Sequence, residues 1–109
     1  HFGQALYPNL MMSFSMDHVA AFILRPLSPS QTMIECRILF HPDEVVKPDF
    51  NPDDASEFWD LVNNQDWSIC ERVQKGMQSN AFKYGYYAPM EDESLDIRKY
   101  IQDKLGINP

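Results

Sequence analysis

The chain has 109 residues, 44% of them hydrophobic and 23% charged, which is the composition of one small globular domain or a piece of a larger one. Its net charge of -7 argues against nucleic acid and against an anionic membrane surface as partners, since both need a basic patch. The longest unbroken apolar run, Val19 to Leu24, is far too short to span a bilayer. The N-terminus lacks a basic region followed by an apolar stretch, and Cys36 and Cys70 are the only cysteines. A reduced cytoplasmic protein is the simplest reading, with one Cys36–Cys70 disulfide as the alternative.

Strand patterning comes first in the chain. Leu10, Met12, Phe14 and Met16 alternate with Met11, Ser13 and Ser15, which predicts a strand from Leu10 to Met16. Met16-Asp17 then turns the chain into a second strand, His18 to Leu24. The cluster Pro26-Leu27-Ser28-Pro29-Ser30 is a turn signal. A third strand follows from Thr32 to Phe40, with Ile34, Cys36, Ile38 and Phe40 on one face and Glu35 and Arg37 on the wetter one. Short connections make these an antiparallel meander over residues 9–41. Three strands alone would leave an edge and one face uncovered, so self-association or contact with further segments is expected.

Helix signals begin after residue 47. Asn51 is a good N-cap, Pro52 suits the first helical position, and Asp53 and Asp54 complement the helix dipole. The predicted helix continues without a breaker over 52–77. An aromatic loop with Tyr84, Tyr86 and Tyr87 follows. A last helix is predicted over 94–105, with Ile97, Ile101 and Leu105 as its stripe and Gly106 as its stop.

One carboxylate on the long helix stands out. At 100° per residue, Ala55, Trp59, Val62, Cys70, Val73 and Met77 all fall within about 40° of Asp66. Asn63 and Ile69 lie about 60° to either side. Periodicity therefore puts Asp66 at the centre of the apolar stripe, where an unpaired carboxylate is costly and needs a base, backbone donors or a metal ion. The ordinary reading is a structural Asp paired with an Arg or a hydroxyl; a metal ligand is the sharper one.

Other candidates carry less. His1, His18 and His41 have no short metal spacing; His18 starts a strand and His41 ends one, which suits edge histidines. Cys36 and Cys70 lack a CxxC pattern and read as small buried hydrophobes. Ser13, Ser15 and Ser28 have no His-Asp companions, and no glycine pattern makes a phosphate loop.

Taken together, PNLMMSFSMDHVAAFILRPLSPSQTMIECRILFHPD, then EFWDLVNNQDWSICERVQKGMQSNAF and GYYAPMEDES, resemble the C-terminal part of the catalytic domain of Rieske-type ring-hydroxylating oxygenase alpha subunits. The flavour is that of the choline- and carnitine-type monooxygenase branch, and VNNQDWSICERVQKGMQS is the most specific piece. The resemblance implies an α+β helix-grip (START/SRPBCC-like) fold, an antiparallel meander packed on a long C-terminal helix. It implies O2-dependent hydroxylation of an aromatic or small organic substrate at a mononuclear Fe(II) held by two histidines and one carboxylate. The carboxylate of the QDW segment is Asp66. Val62, Asn63 and Ile69 would then lie near the substrate pocket.

The family pattern is only partly present. The Cys/His ligands of the [2Fe-2S] Rieske cluster and the paired-histidine segment have no counterpart among these 109 residues. The chain therefore reads as a C-terminal fragment, inactive and iron-free by itself. Its parent would use a reductase, with or without a ferredoxin, and would assemble as a trimer. The competing readings are a non-catalytic helix-grip module that binds an apolar ligand, and a self-associating structural domain.

Overall fold

The computed structural model describes residues 2–107. Four strands form one antiparallel sheet in the order β1-β2-β3-β4: β1 (Phe2–Leu6), β2 (Leu10–Phe14), β3 (Val19–Ser28) and β4 (Gln31–Leu39). Three helices follow: α1 (Pro42–Val45), α2 (Pro52–Met77) and α3 (Asp92–Leu105).

The first strand is absent from the sequence reading. Its signal was a Pro8-Asn9 turn between two short apolar runs, and the structure closes that turn with a cis Tyr7–Pro8 bond. Phe2 pairs with Phe14, and their rings stack at 4.8 Å. The strand predicted to continue to Met16 stops at Phe14, and Ser15 donates to the His18 carbonyl to close the next turn. The cluster expected to be a turn from Pro26 is mostly strand. β3 runs on to Ser28, with a register shift between Pro26 and Ser28. That irregularity lets the sheet tolerate a residue without an N–H, and the turn shrinks to Pro29-Ser30.

Direct strand partners share a face, so the register sorts the sheet into two surfaces. One carries Ser13, Ala20, Phe22, Cys36 and Ile38. The other carries Phe14, Val19, Ala21, Arg37 and Leu39, with Ile23 and Glu35 farther along. On this second surface Arg25 and Arg37 both reach Glu35 Oε2, at 3.2 and 3.3 Å.

Helix α2 lies on the first surface, along the β3–β4 hairpin. Asn51 caps it by accepting from the Asp53 amide at 3.0 Å, and Pro52 and the first-turn acids follow as the sequence requires. The indole of Trp59 meets Phe22 edge-on at 5.7 Å and donates to His18 Nε2 at 2.8 Å. One turn on, Asn63 is buried and hydrogen-bonds Cys36. Burial pushes the Cys36 thiol above its ordinary value, and the Asn63 bond opposes that rise. Cys36 is half-buried and Cys70 exposed, and both are free thiols. Cys70 thus departs from the expected buried hydrophobe: it lines an open cavity beside Thr32 and Ile34 and stays exposed.

Helix α3 begins at Asp92, two residues before the predicted start, after the Glu91 carboxylate accepts from the Ala88 amide. Gly106 ends it in the left-handed conformation, at φ 68°, where a side chain would be strained. The expected Ile97/Ile101/Leu105 stripe is not its buried side. Ile101 and Leu105 are exposed, whereas Ile97 and Tyr100 turn inward, and Tyr100 meets Tyr7 at 5.2 Å. Tyr84, Tyr86 and Tyr87 all face solvent.

The result is an open two-layer arrangement. Its radius of gyration is 17.1 Å, whereas a compact domain of this length has roughly 13 Å. Among the described residues the buried hydrophobic core is Ala20, Ala21 and Ala55, with no large side chain fully buried.

Two outcomes follow from this packing. Removing the α2 cap by Asn51→Ala should cost about 1 kcal/mol, read as a lower urea midpoint. A thiol reagent at pH 8 should label Cys70 before Cys36. Because burial raises the Cys36 pKa, less of it is thiolate at that pH. The Cys70→Ser variant should therefore react slowly, and faster as the pH is raised.

Candidate functional site

Asp66 lies in the middle of α2, but it is exposed. This corrects the expectation that it sits at the centre of the buried stripe. The seat of the helix is Ala55, Trp59 and Asn63, so the buried line runs about 20° to the Asn63 side of Asp66 and reaches about 60° at Asn63 itself. The physical reason is the width of the apolar arc. Trp59 and Asn63 on one side meet the sheet, while Phe58, Ile69 and Val73 on the other remain exposed. Periodicity locates the arc and its middle; it does not say which part of the arc finds a partner.

The orientation of the free flank can be read from the opposite one. Trp67, Cys70 and Gln74 line a cavity of about 320 Å³ together with Thr32 and Ile34, so their side of α2 faces β4. Asp66 is about 100° back from Trp67 around the helix, and Val62 and Ile69 are about 140° and 160° back. The flank carrying Asp66 is therefore turned away from β4. Val62 is half-buried and Ile69 exposed, one turn either side of the carboxylate. Asn63, grouped with them in the sequence reading, is instead committed to the sheet through Cys36.

A larger cavity, about 730 Å³, lies between β1, β2 and β3 and helix α3. Met11, Ser13, Phe22 and Leu24 form its floor, and Glu93 and Ile97 of α3 form part of its wall. The lining is mostly apolar, with Glu93 as an acid at the rim. No sequence signal pointed to this cavity, because it depends on where α3 returns across β1 and β2.

The described histidines are both occupied locally. His18 lies between Trp59 and Asp17, its Nδ1 being 2.7 Å from Asp17 Oδ1. His41 caps α1, its Nδ1 accepting from the Asp43 amide at 3.1 Å. His1 lies outside the described residues. No group of three His, Cys, Asp or Glu side chains gathers into a metal-holding cluster among the described residues. Asp66 has no ion-pair partner among them either. A carboxylate that is accessible, flanked by apolar side chains and without an ion-pair partner among the described residues is the kind of group a 2-His-1-carboxylate iron site uses. No helix among the described residues is long and apolar enough to cross a membrane.

Comparison with known proteins adds the family. The model for the catalytic domain of the ring-hydroxylating alpha subunit matches residues 2–106. The glycine betaine monooxygenase oxygenase subunit of Chromohalobacter salexigens is 33% identical over 81 residues, 74% of this chain and 18% of that protein. Its counterpart in Pseudomonas aeruginosa is 33% identical over 72 residues, 66% of this chain and 17% of the relative. The chloroplastic choline monooxygenase of Arabidopsis thaliana is 31% identical over 91 residues, 79% of this chain and 20% of the relative. The chain thus spans a fifth or less of the length of these relatives. No solved structure matches it. With a match that takes in nearly every described residue, the chain belongs to the ring-hydroxylating alpha-subunit family, within the catalytic domain.

Proposed function

We propose that this chain is the part of a Rieske-type oxygenase alpha subunit that carries the carboxylate ligand of the mononuclear iron, and that Asp66 is that ligand. The observation that carries the reading is the position of Asp66. It is a free carboxylate in mid-helix, on the flank of α2 that the sheet leaves uncovered, in a chain of this family. The paired histidines would come from a segment of the parent protein outside these residues, packed over that flank. The whole domain would then be a helix-grip fold closed around α2.

Bound Fe(II), held on one face by two imidazoles and a carboxylate, supplies open positions for O2 beside a substrate. The chain's own contribution is geometric. The 26-residue helix fixes the carboxylate at one place along its length, and the contacts of Trp59 and Asn63 with the sheet hold the helix against rolling. Val62 and Ile69 flank the carboxylate with apolar surface, which would keep water from the side where the substrate approaches once the flank is covered. Electrons would reach the parent through a reductase, with or without a ferredoxin, and a [2Fe-2S] cluster in a trimer. The relatives named for glycine betaine and choline favour a small quaternary amine over an aromatic substrate.

A second reading rests on the 730 Å³ apolar cavity between the sheet and α3. In that reading the chain is part of a non-catalytic helix-grip module, and the cavity takes an apolar ligand.

One variant separates the two. In the parent alpha subunit, Asp66→Ala should remove the mononuclear iron and turnover while leaving the visible spectrum of the Rieske cluster intact. Iron content that stays normal in this variant overturns the assignment of Asp66. Ligand binding unchanged by Asp66→Ala, in a protein without mononuclear iron, supports the binding module.

A further inference from the structure

Among the described residues His18 is the imidazole placed between the two layers, and its two nitrogens have opposite duties. Nε2 is 2.8 Å from Trp59 Nε1, and Nδ1 is 2.7 Å from Asp17 Oδ1. An indole N–H only donates, so Nε2 must be the bare nitrogen of a neutral ring. The ring proton is then on Nδ1 and donates to Asp17. Asp17 accepts throughout, because the hydrogen bond from His18 holds its carboxyl below the usual carboxylate range. The His18 side chain is 11% exposed and that of Asp17 66%, so the acid faces water and the indole faces the interior.

The surroundings of the ring are otherwise apolar. From just past the end of β4 it meets the Phe40 ring at 6.1 Å, and from α2 the Trp59 ring at 6.3 Å. The charges nearby are Asp17 itself and the Lys47 ammonium, which acts on Asp17 from the segment after α1. The two partners of His18 differ in what they require of the ring. Asp17 accepts equally from the neutral ring and from the imidazolium. Trp59 can bond only to the neutral ring.

We propose that Asp17, His18 and Trp59 form an acid-sensitive latch between β3 and α2, with His18 as the residue that positions the helix. Protonation at Nε2 sets an N–H against the indole N–H across 2.8 Å. The indole must withdraw, and the first half of α2 loosens from the sheet while Asp17 keeps its hold on the ring. Trp59 is two helical turns before Asp66, so the latch also bears on where that carboxylate stands. That last consequence rests on the assignment of Asp66 as a ligand; the latch itself does not.

The test reads the indole directly and needs no iron, so the latch and the ligand assignment can fail separately. The parent alpha subunit is labelled with 5-fluorotryptophan, and the 19F resonances of the two indoles are assigned with Trp59→Phe and Trp67→Phe. The pH is lowered from about 8 to about 5, the range in which imidazoles change charge. The Trp59 resonance should move in a single step while that of Trp67 stays. In His18→Gln, whose amide oxygen accepts but does not titrate, the Trp59 resonance should hold near its high-pH position. In His18→Phe it should sit near the acid position at every pH. A Trp59 resonance that is flat in the parent chain, or that still steps in His18→Gln, overturns the latch.

Discussion

The helix layer depends on one narrow seat. A 26-residue helix touches the sheet through Trp59 against Phe22 and His18, and through Asn63 against Cys36. Two of these contacts are hydrogen bonds to side chains of the sheet, and they do what apolar packing alone does not: they choose a rotation. A hydrophobic arc slides at little cost, since one apolar residue replaces another. An indole N–H or a buried amide that loses its partner costs about 1–3 kcal/mol. The polar pairs therefore set the phase of α2, and the phase decides which side chains are offered to the rest of the protein.

The consequence appears as exposed apolar surface. Phe58, Leu61, Ile69 and Val73 on α2, with Phe2, Leu6 and Leu39 on the far side of the sheet, are all more exposed than hidden or nearly so. Scattered apolar residues on a surface are ordinary, but continuous stripes on a helix flank and on a sheet face are not. A core of three alanines cannot offset the ordering of 109 residues by itself. The radius of gyration says the same in another measure, 17.1 Å against roughly 13 Å for a closed domain. These are surfaces shaped for a further layer.

Much of the frame was legible because its signals are local. Asn51-Pro52-Asp53 starts α2 and Gly106 stops α3 through capping chemistry that works within a few residues. Alternation marked β2, β3 and β4. What escaped was non-local. β1 has five residues and becomes a strand by pairing with β2 across a two-sided turn. Pro26 looked like the end of a strand, yet pairing with β4 carries the chain on to Ser28. Ile101 and Leu105 look like core and are exposed, because α3 is placed by Tyr100 on Tyr7 rather than by its own aliphatic stripe. The role of His18 was invisible as well, since its partner is 41 residues away.

The site was half legible for the same kind of reason. Asp66 stood out because a carboxylate in the middle of an apolar arc demands an explanation. The first explanation, burial beneath the sheet, was wrong about the side. An acid pressed against β3 and β4 would be closed off by Phe22 and Cys36, with no room for other ligands. On the exposed flank it stands in water until something covers it, and the apolar residues beside it make that covering favourable. If Asp66 is the proposed ligand, completed by another segment, it belongs on a face that segment can reach. On the proposed reading, the shifted centre of the arc reflects two tasks sharing one helix: one edge holds the sheet, and the other presents the carboxylate.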